Sequence, residues 1–404
     1  MKKLAIVISH PIQYYSPWFS YLANTAGLAV KVFYLWDFGV SKQIDVGFQQ
    51  EIQWDIPLLS GYDYEFVPNI SSHPGTHHFW GLQNPSLVSQ IQDFNPEAVL
   101  LMIYNYASIY RFLWRWNTGK TPLLFRGDSH RLLASNGVKS WARQQVISQL
   151  YRRFAAFLYV GKANYDYFRY HHVADERLFF SPHTVDNNRF LAEADTVHQQ
   201  AFLWKQGLGI PCDHAVILFA GKLEEKKRPL DLLNAFLLAN ISQVSLLFVG
   251  AGPLEKELKK TAAGYPNIHF APFQNQTLMP RTYAAADLFV LPSYGSGETW
   301  GLAINEAMCL GRPVIVSNHV GCAQDLIHNY QNGLIFAAGD VPALANSLQQ
   351  ALSDRQRLRT WGENSRGIVS KYSYTQATQG LIHALEYVKS SKIQAFTCLD
   401  TPPV

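Results

Sequence analysis

The feature that most constrains this chain is a series of short, almost uninterrupted apolar runs separated by helix-length stretches. In the first half they read "LAIVIS" (4–9), "AVKVFYL" (29–35), "YEFVP" (64–68), "AVLLMIY" (98–104), "PLLFRG" (122–127) and "AFLYVG" (156–161). In the second they read "AVILFAG" (215–221), "SLLFVG" (245–250), "IHFAPF" (268–273), "LFVLPS" (288–293) and "PVIVSN" (313–318). A strand that is apolar at nearly every position is covered on both faces, as in a parallel sheet flanked by helices. Such strands alternating with helix-period segments predict parallel α/β architecture. With 404 residues the chain is too long for one ordinary core. Two doubly wound domains are expected, residues 1–190 and 200–373, with a polar, turn-rich linker near 183–203. Residues 374–390 read as one more helix, and the last dozen residues as loosely ordered.

Composition narrows the function classes. Apolar residues make up 48% and charged residues 16%, which excludes disorder. The net charge of +4 is mild, without the dense basic stripe of a nucleic-acid binder, and is compatible with a small phosphorylated ligand. The four cysteines, Cys212, Cys309, Cys322 and Cys398, have no metal-ligand spacing, and the contexts of Cys309 and Cys322 suit buried thiols in a reducing compartment. The N-terminal run "LAIVI" is short for a secretory leader, and "AVLLMIYNYASIYRFLW" is interrupted by Asn105 and Arg111. A cytoplasmic protein without a metal site is expected.

In open α/β sheets ligands bind beyond the carboxyl ends of the strands, so chemistry is sought in the loops that follow them. The first strand runs into "HPIQYYSPWF" rather than GxGxxG, which argues against a dinucleotide. His10, Gln13 and Tyr14 there suit the hydroxyls and apolar faces of a sugar, although aromatic residues also pack helix starts. After "PLLFRG", Asp128 and His130 crowd one turn, as a proton-handling or hydroxyl-binding pair or as a helix cap with a local ion pair. After "AVILFAG", Lys222 and Lys227 precede a helix that starts near Pro229. Its free N–H groups add positive potential for a diphosphate. Alone, the turn reads first as solvated lysines. Gly250 and Gly252 give either a tight strand-to-helix turn or a ligand contact.

The segment "SYGSGETWGLAINEAMCLG" carries two glutamates, Glu298 and Glu306, eight positions apart. A continuous helix through both would separate them by about 12 Å along its axis, near the reach from the sugar to the ribose of a nucleotide sugar. Amides near Gly301 and Leu302 would then face the diphosphate. Glu306 sits among Ile304, Ala307, Met308 and Leu310, where an unpaired charge is costly, so either a hydroxylated ligand or a buried ion pair is expected there.

Together these residues resemble the E-x7-E signature of glycosyltransferase family 4, the group 1 glycosyltransferases. "FAGKLEEKKRPLDLLNAF", "LLFVGAGPLEKEL", "IHFAPF", "YAAADLFVLPS" and "NGLIFAAGDVPALANSLQQAL" follow in that family's order, over roughly residues 180–390. The resemblance implies a GT-B fold, two Rossmann-like doubly wound domains facing a central cleft, with residues 374–390 crossing back to the first domain. It implies a retaining, metal-independent enzyme, with no cofactor beyond its co-substrate. The enzyme would move a hexose-type sugar from a nucleotide-diphosphate sugar to a glycan or lipid-linked acceptor, in glycan, polysaccharide or glycolipid biosynthesis. Residue by residue, Glu298 contacts the donor sugar, Glu306 the ribose, Lys222 and Lys227 the phosphates, and Phe273 the base. His130, Asp128 or His10 fills the place of a histidine near the donor sugar. The family's Gly-Gly loop is replaced by "HPIQYY", so the acceptor side is not carried over. Family members meet membrane surfaces through a basic helix of the first domain. "KSWARQQVISQLYRRF" (139–154) offers Ile147, Leu150, Tyr151 and Phe154 for peripheral contact at the inner face of a membrane, or for core packing. A sugar-nucleotide epimerase, a phosphorylase of the same fold and a non-catalytic carbohydrate-binding protein remain as alternatives.

Overall fold

A computed structural model describes residues 2–40, 43–45, 47–133, 137–191 and 194–397. Cys398 and the tail beyond it lie outside the described residues.

The first sheet contains β1 (Lys2–Ile8), β2 (Leu28–Tyr34), β5 (Asp63–Phe66), β6 (Ala98–Leu101), β7 (Leu123–Arg126), β8 (Ala156–Tyr159) and β9 (Leu178–Phe180), in the order β5-β2-β1-β6-β7-β8-β9. All its pairings are parallel. A separate antiparallel hairpin, β3 (Gln43–Asp45) and β4 (Gln50–Ile52), projects from the β2–β5 connection. The second sheet contains β10 (Ala215–Ala220), β11 (Val244–Val249), β12 (Ile268–Ala271), β13 (Leu288–Leu291), β14 (Val314–Ser317) and β15 (Gly333–Phe336), in the order β12-β11-β10-β13-β14-β15 and again parallel. Every residue of β10 and β11 is buried. Two apolar clusters cover the two faces of each sheet, which is why the strand sequences show no polar alternation.

The strand order reverses beside β1 in the first sheet and beside β10 in the second. At such a switch point adjacent loops diverge and leave a crevice. The loops after β1 and β10 therefore open onto the same cleft, where residues of both domains line one cavity.

Three expectations change. The segment expected to be a turn-rich linker contains two helices, Asn187–Leu191 and Ala194–Gly207. Phe190, Val197 and Ala201 are buried in the second domain's core, at a spacing too sparse to stand out in a polar sequence. The face offered for membrane contact is interior: Ile147, Tyr151 and Phe154 are buried in the first domain's aromatic core, and Leu150 packs against it. Among the described residues no helix is long and apolar enough to cross a membrane. Finally, β9 and β15 extend the sheets; β9 has only three residues, too few for a periodicity.

The C-terminal helix, Tyr374–Thr397, returns to the first sheet and packs on β8 and β9. Trp18 Nε1 donates to Thr378 Oγ1 at 3.1 Å and Ser181 Oγ to the Ala377 carbonyl at 2.9 Å. A side chain on Gly380 would stand 1.9 Å from the Phe180 carbonyl oxygen, so this close helix–strand approach requires glycine.

Candidate active site

The cleft holds a cavity of about 490 Å³. At one end the 3₁₀ turn Glu225–Lys227 brings Lys227 Nζ to 2.6 Å from Glu298 Oε2, which also accepts from Ser293 Oγ at 3.1 Å. Burial alone would raise the Glu298 carboxyl, but Lys227 outweighs it and holds it below the usual range. The β10 loop is packed tightly: a Cβ on Gly250, which has φ +144°, would meet the Gly221 carbonyl oxygen at 2.0 Å. Close loop packing thus accounts for that glycine, which also lines the cavity.

The helix that carries Glu306 runs from Leu302 to Cys309, after Gly301 at φ 99°. Glu298 lies outside it, so the continuous-helix ruler of about 12 Å does not apply; only Leu302 onward follows helical rise. The left-handed backbone at Gly301 makes this break. Glu306 lines the same cavity and is 2% exposed. Its Oε2 accepts from Tyr283 Oη at 2.7 Å, and its Oε1 has no partner. Burial pushes its carboxyl up to about 7, against the opposing pull of Tyr283 and Arg189. Tyr14, from the loop after β1, packs half-buried against the second domain's core, close enough to feel both Glu306 and Glu298.

Asp128 and His183 form the first-domain wall. His183 Nε2 lies 3.5 Å from Asp128 Oδ2, and Thr299 Oγ1 donates to the same oxygen at 2.7 Å. Burial lowers the His183 imidazole despite Asp128, and the nearby His183 ring and the hydrogen bond from Thr299 hold the Asp128 carboxyl low against its own desolvation. Trp300 Nε1 donates to Asn305 Oδ1 at 2.8 Å, and Asn305 Nδ2 to the His183 carbonyl at 3.3 Å. The two domains thus meet through the residues that follow Glu298.

Over the other side lies the β3–β4 hairpin and the chain after it. Lys222 Nζ is 2.8 Å from Asp45 Oδ1 and stands over the Phe48 ring at 5.0 Å. Phe48 meets Phe273 edge to face at 4.7 Å. Thr277 N donates to Asp55 at 3.1 Å, and Asn275 Nδ2 to the Gln53 carbonyl at 2.7 Å. A first-domain strap therefore covers the loop after β12.

Of the residues singled out in the sequence, His10, Gln13, Tyr14, Asp128, Lys222, Lys227, Phe273, Glu298, Gly301, Leu302 and Glu306 line this cavity. His130 lines a neighbouring one instead, and the imidazole facing Asp128 in the cleft is His183. His10 is held neutral by burial, which lowers it to about 4 against the pull of Asp45, and its ring meets the stacked Trp36 and Phe38 rings edge to face. Sequence reasoning missed His183, Tyr283, Asp45 and Phe48. His183 was obscured because β9 is too short to mark the loop after it. Among the described residues, no three His, Cys, Asp or Glu come together as metal ligands. Cys309 and Cys322 are buried, and Cys212 is exposed.

Two parallel-sheet domains with both switch points opening on one cleft define a GT-B protein. Sucrose-phosphate synthase from Thermosynechococcus elongatus has this fold, with a TM-score of 0.72 at 19% identity, over 97% of this chain and 100% of that one. HepE from Anabaena, solved with UDP and glucose, gives a TM-score of 0.71 at 18% identity, over 96% and 100%. Residues 201–367, most of the second domain, match the family model for glycosyl transferases group 1. The sulfoquinovosyl transferase of Arabidopsis thaliana is 27% identical over 323 residues, 73% of this chain and 57% of that protein. The D-inositol 3-phosphate glycosyltransferase of Salinispora arenicola is 26% identical over 212 residues, 49% of this chain and 47% of that protein. The chain thus spans about half the length of the curated relatives it matches.

Proposed function

We propose that the protein is a retaining glycosyltransferase that moves a hexose from a nucleoside diphosphate sugar to a hydroxyl acceptor, without a metal ion. The observation that carries this reading is the arrangement of Lys227–Glu298 and the half-unpaired Glu306 along one interdomain cavity. Glu306 Oε1 accepts a ribose hydroxyl, in place of the partner it lacks. Lys222 and Lys227 meet the diphosphate, with help from the N-termini of the helices Pro229–Ala239 and Leu302–Cys309. Glu298 orients the sugar's hydroxyls. The bond from the anomeric carbon to the phosphate oxygen breaks, and the acceptor oxygen bonds to that carbon on the same face. The acceptor's proton passes to the leaving diphosphate, whose charge the lysines stabilise.

UDP-sugars are the first donors to test, since HepE was solved with UDP and with UDP-glucose. The test is UDP-glucose binding by calorimetry, followed by release of UDP in EDTA, with the wild type and Glu298→Ala. Binding with turnover that falls about a hundredfold or more in the variant is expected. Equal turnover in both proteins would sink the role of Glu298. Sugar interconversion without transfer would mark an epimerase.

A further inference from the structure

Beside the donor cavity lies a second one, of about 270 Å³, to which no function has been assigned above. Thr299 lines both, so the Asp128–Thr299 hydrogen bond is part of the wall between them. The loop after β7, the helices Val138–Tyr151 and Lys162–Tyr170, and the loop Ser296–Thr299 enclose it. Its polar lining includes Arg131, Arg143, Gln144, Tyr170 and His171, and no aspartate or glutamate is among its described lining residues.

The lining is braced rather than loose. Tyr170 Oη donates to Gln144 Oε1 at 2.8 Å, and Gln144 Nε2 returns a bond to the Tyr170 carbonyl at 3.2 Å. The Arg131 guanidinium stacks 3.3 Å from the centre of the Tyr170 ring. His171 shares its Nδ1 with Ser148 Oγ at 3.1 Å. Burial lowers its imidazole to about 4, and Arg131 and Arg143 push in the same direction. The positive charge of the cavity therefore comes from two arginines.

We propose that this cavity is the anion subsite of the acceptor: the acceptor bears a phosphoryl or carboxylate oxyanion that docks at Arg131 and Arg143, while its hydroxyl reaches the donor sugar past Asp128 and Thr299. This rests on the glycosyltransferase reading and adds the acceptor's chemical class. Guanidinium groups bind such oxyanions through paired, charge-assisted hydrogen bonds, and a cavity without carboxylates leaves that capacity unused. Val138 and Trp141 are exposed at the start of the helix that supplies Arg143, so the oxyanion can be soluble or carried by a lipid.

The experiment uses the full chain saturated with UDP, which fills the donor's own phosphate sites. Inorganic phosphate is titrated at constant ionic strength, against the wild type, Arg143→Gln and Arg143→Lys. Phosphate binding to the wild type is expected, about tenfold weaker in Arg143→Gln and intermediate in Arg143→Lys, which keeps the charge without the paired geometry, with UDP affinity unchanged in all three. Absence of phosphate binding to the UDP-saturated wild type, or equal binding to Arg143→Gln, would overturn the subsite. Two further arms compare glycerol 3-phosphate with phosphatidylglycerol vesicles, using phosphatidylcholine vesicles as the control. Either arm, if sensitive to Arg143→Gln, supports the subsite and names the source of the oxyanion. A wild type that binds no nucleoside diphosphate would instead refute the donor reading, and the acceptor role with it.

Discussion

Two glutamates of the interdomain cavity hold the same functional group in opposite states. Glu298 is paired with a lysine at 2.6 Å and is kept ionised. Glu306 is more deeply buried, has one oxygen satisfied by a tyrosine and one by nothing, and sits near neutrality. One carboxylate is already compensated by the protein, whereas the other awaits compensation from a ligand. A group that the fold neutralises suits the part of a reaction where charge develops. A group left uncompensated suits binding, because the ligand then supplies what the protein withholds.

The largest test of this contrast is Lys227→Ala. It removes the partner of Glu298 and a cation facing the leaving diphosphate together, and transfer measured as UDP release should fall about 10²–10³-fold. It also leaves Glu298 buried and unpaired, so the carboxyl should rise and the remaining activity should shift toward higher pH.

Glu306→Gln tests the other glutamate by about an order of magnitude. Ribose hydroxyls favour the ionised carboxyl, so UDP affinity in the wild type should strengthen as pH rises through about 7 and weaken by up to about tenfold per unit below it. Calorimetry across pH 6–8 should show this slope in the wild type and not in the variant. The free protein should respond in the opposite sense. The folded value near 7 stands above the ordinary one of 4.5, so the folded state binds more protons and stability is lost as pH rises from about 4.5 through 7. That loss is on the order of 3 kcal/mol. The variant should therefore melt higher than the wild type at pH 8, with the gap closing by pH 5.

The smallest effect is expected at Asp45→Asn. Asp45 occupies Lys222 from the hairpin and, on the proposed reading, competes there with the donor's phosphates. Its neutralisation should tighten UDP binding by a few-fold, a size typical of a partly exposed ion pair. Weaker UDP binding in this variant would make Asp45 a support of the site rather than a competitor.

Much of the cavity was legible because strands buried on both faces announce themselves, and the loops after them can be searched. Lys222, Lys227, Glu298 and Glu306 were found that way. The break before Leu302 was not legible, since a glycine with a left-handed backbone looks the same in sequence as one inside a helix. The hairpin carrying Asp45 and Phe48 was hidden because it buries little apolar surface of its own and depends on the second domain for partners. The helices Asn187–Leu191 and Ala194–Gly207 were hidden for a related reason: they place few residues in the core, and Leu191, Phe202 and Leu203 are exposed, which blurs the apolar periodicity.

The C-terminal helix has a consequence for how the molecule is made. Ala377, Leu381, Ala384 and Val388 lie in the same apolar cluster as Leu4, Ile6 and Trp18. The first domain is thus completed by residues that emerge only after the whole second domain. A half-molecule ending before Tyr374 would have an open core, and a chimera joining one parent's first domain to another's second would need the first parent's final helix as well.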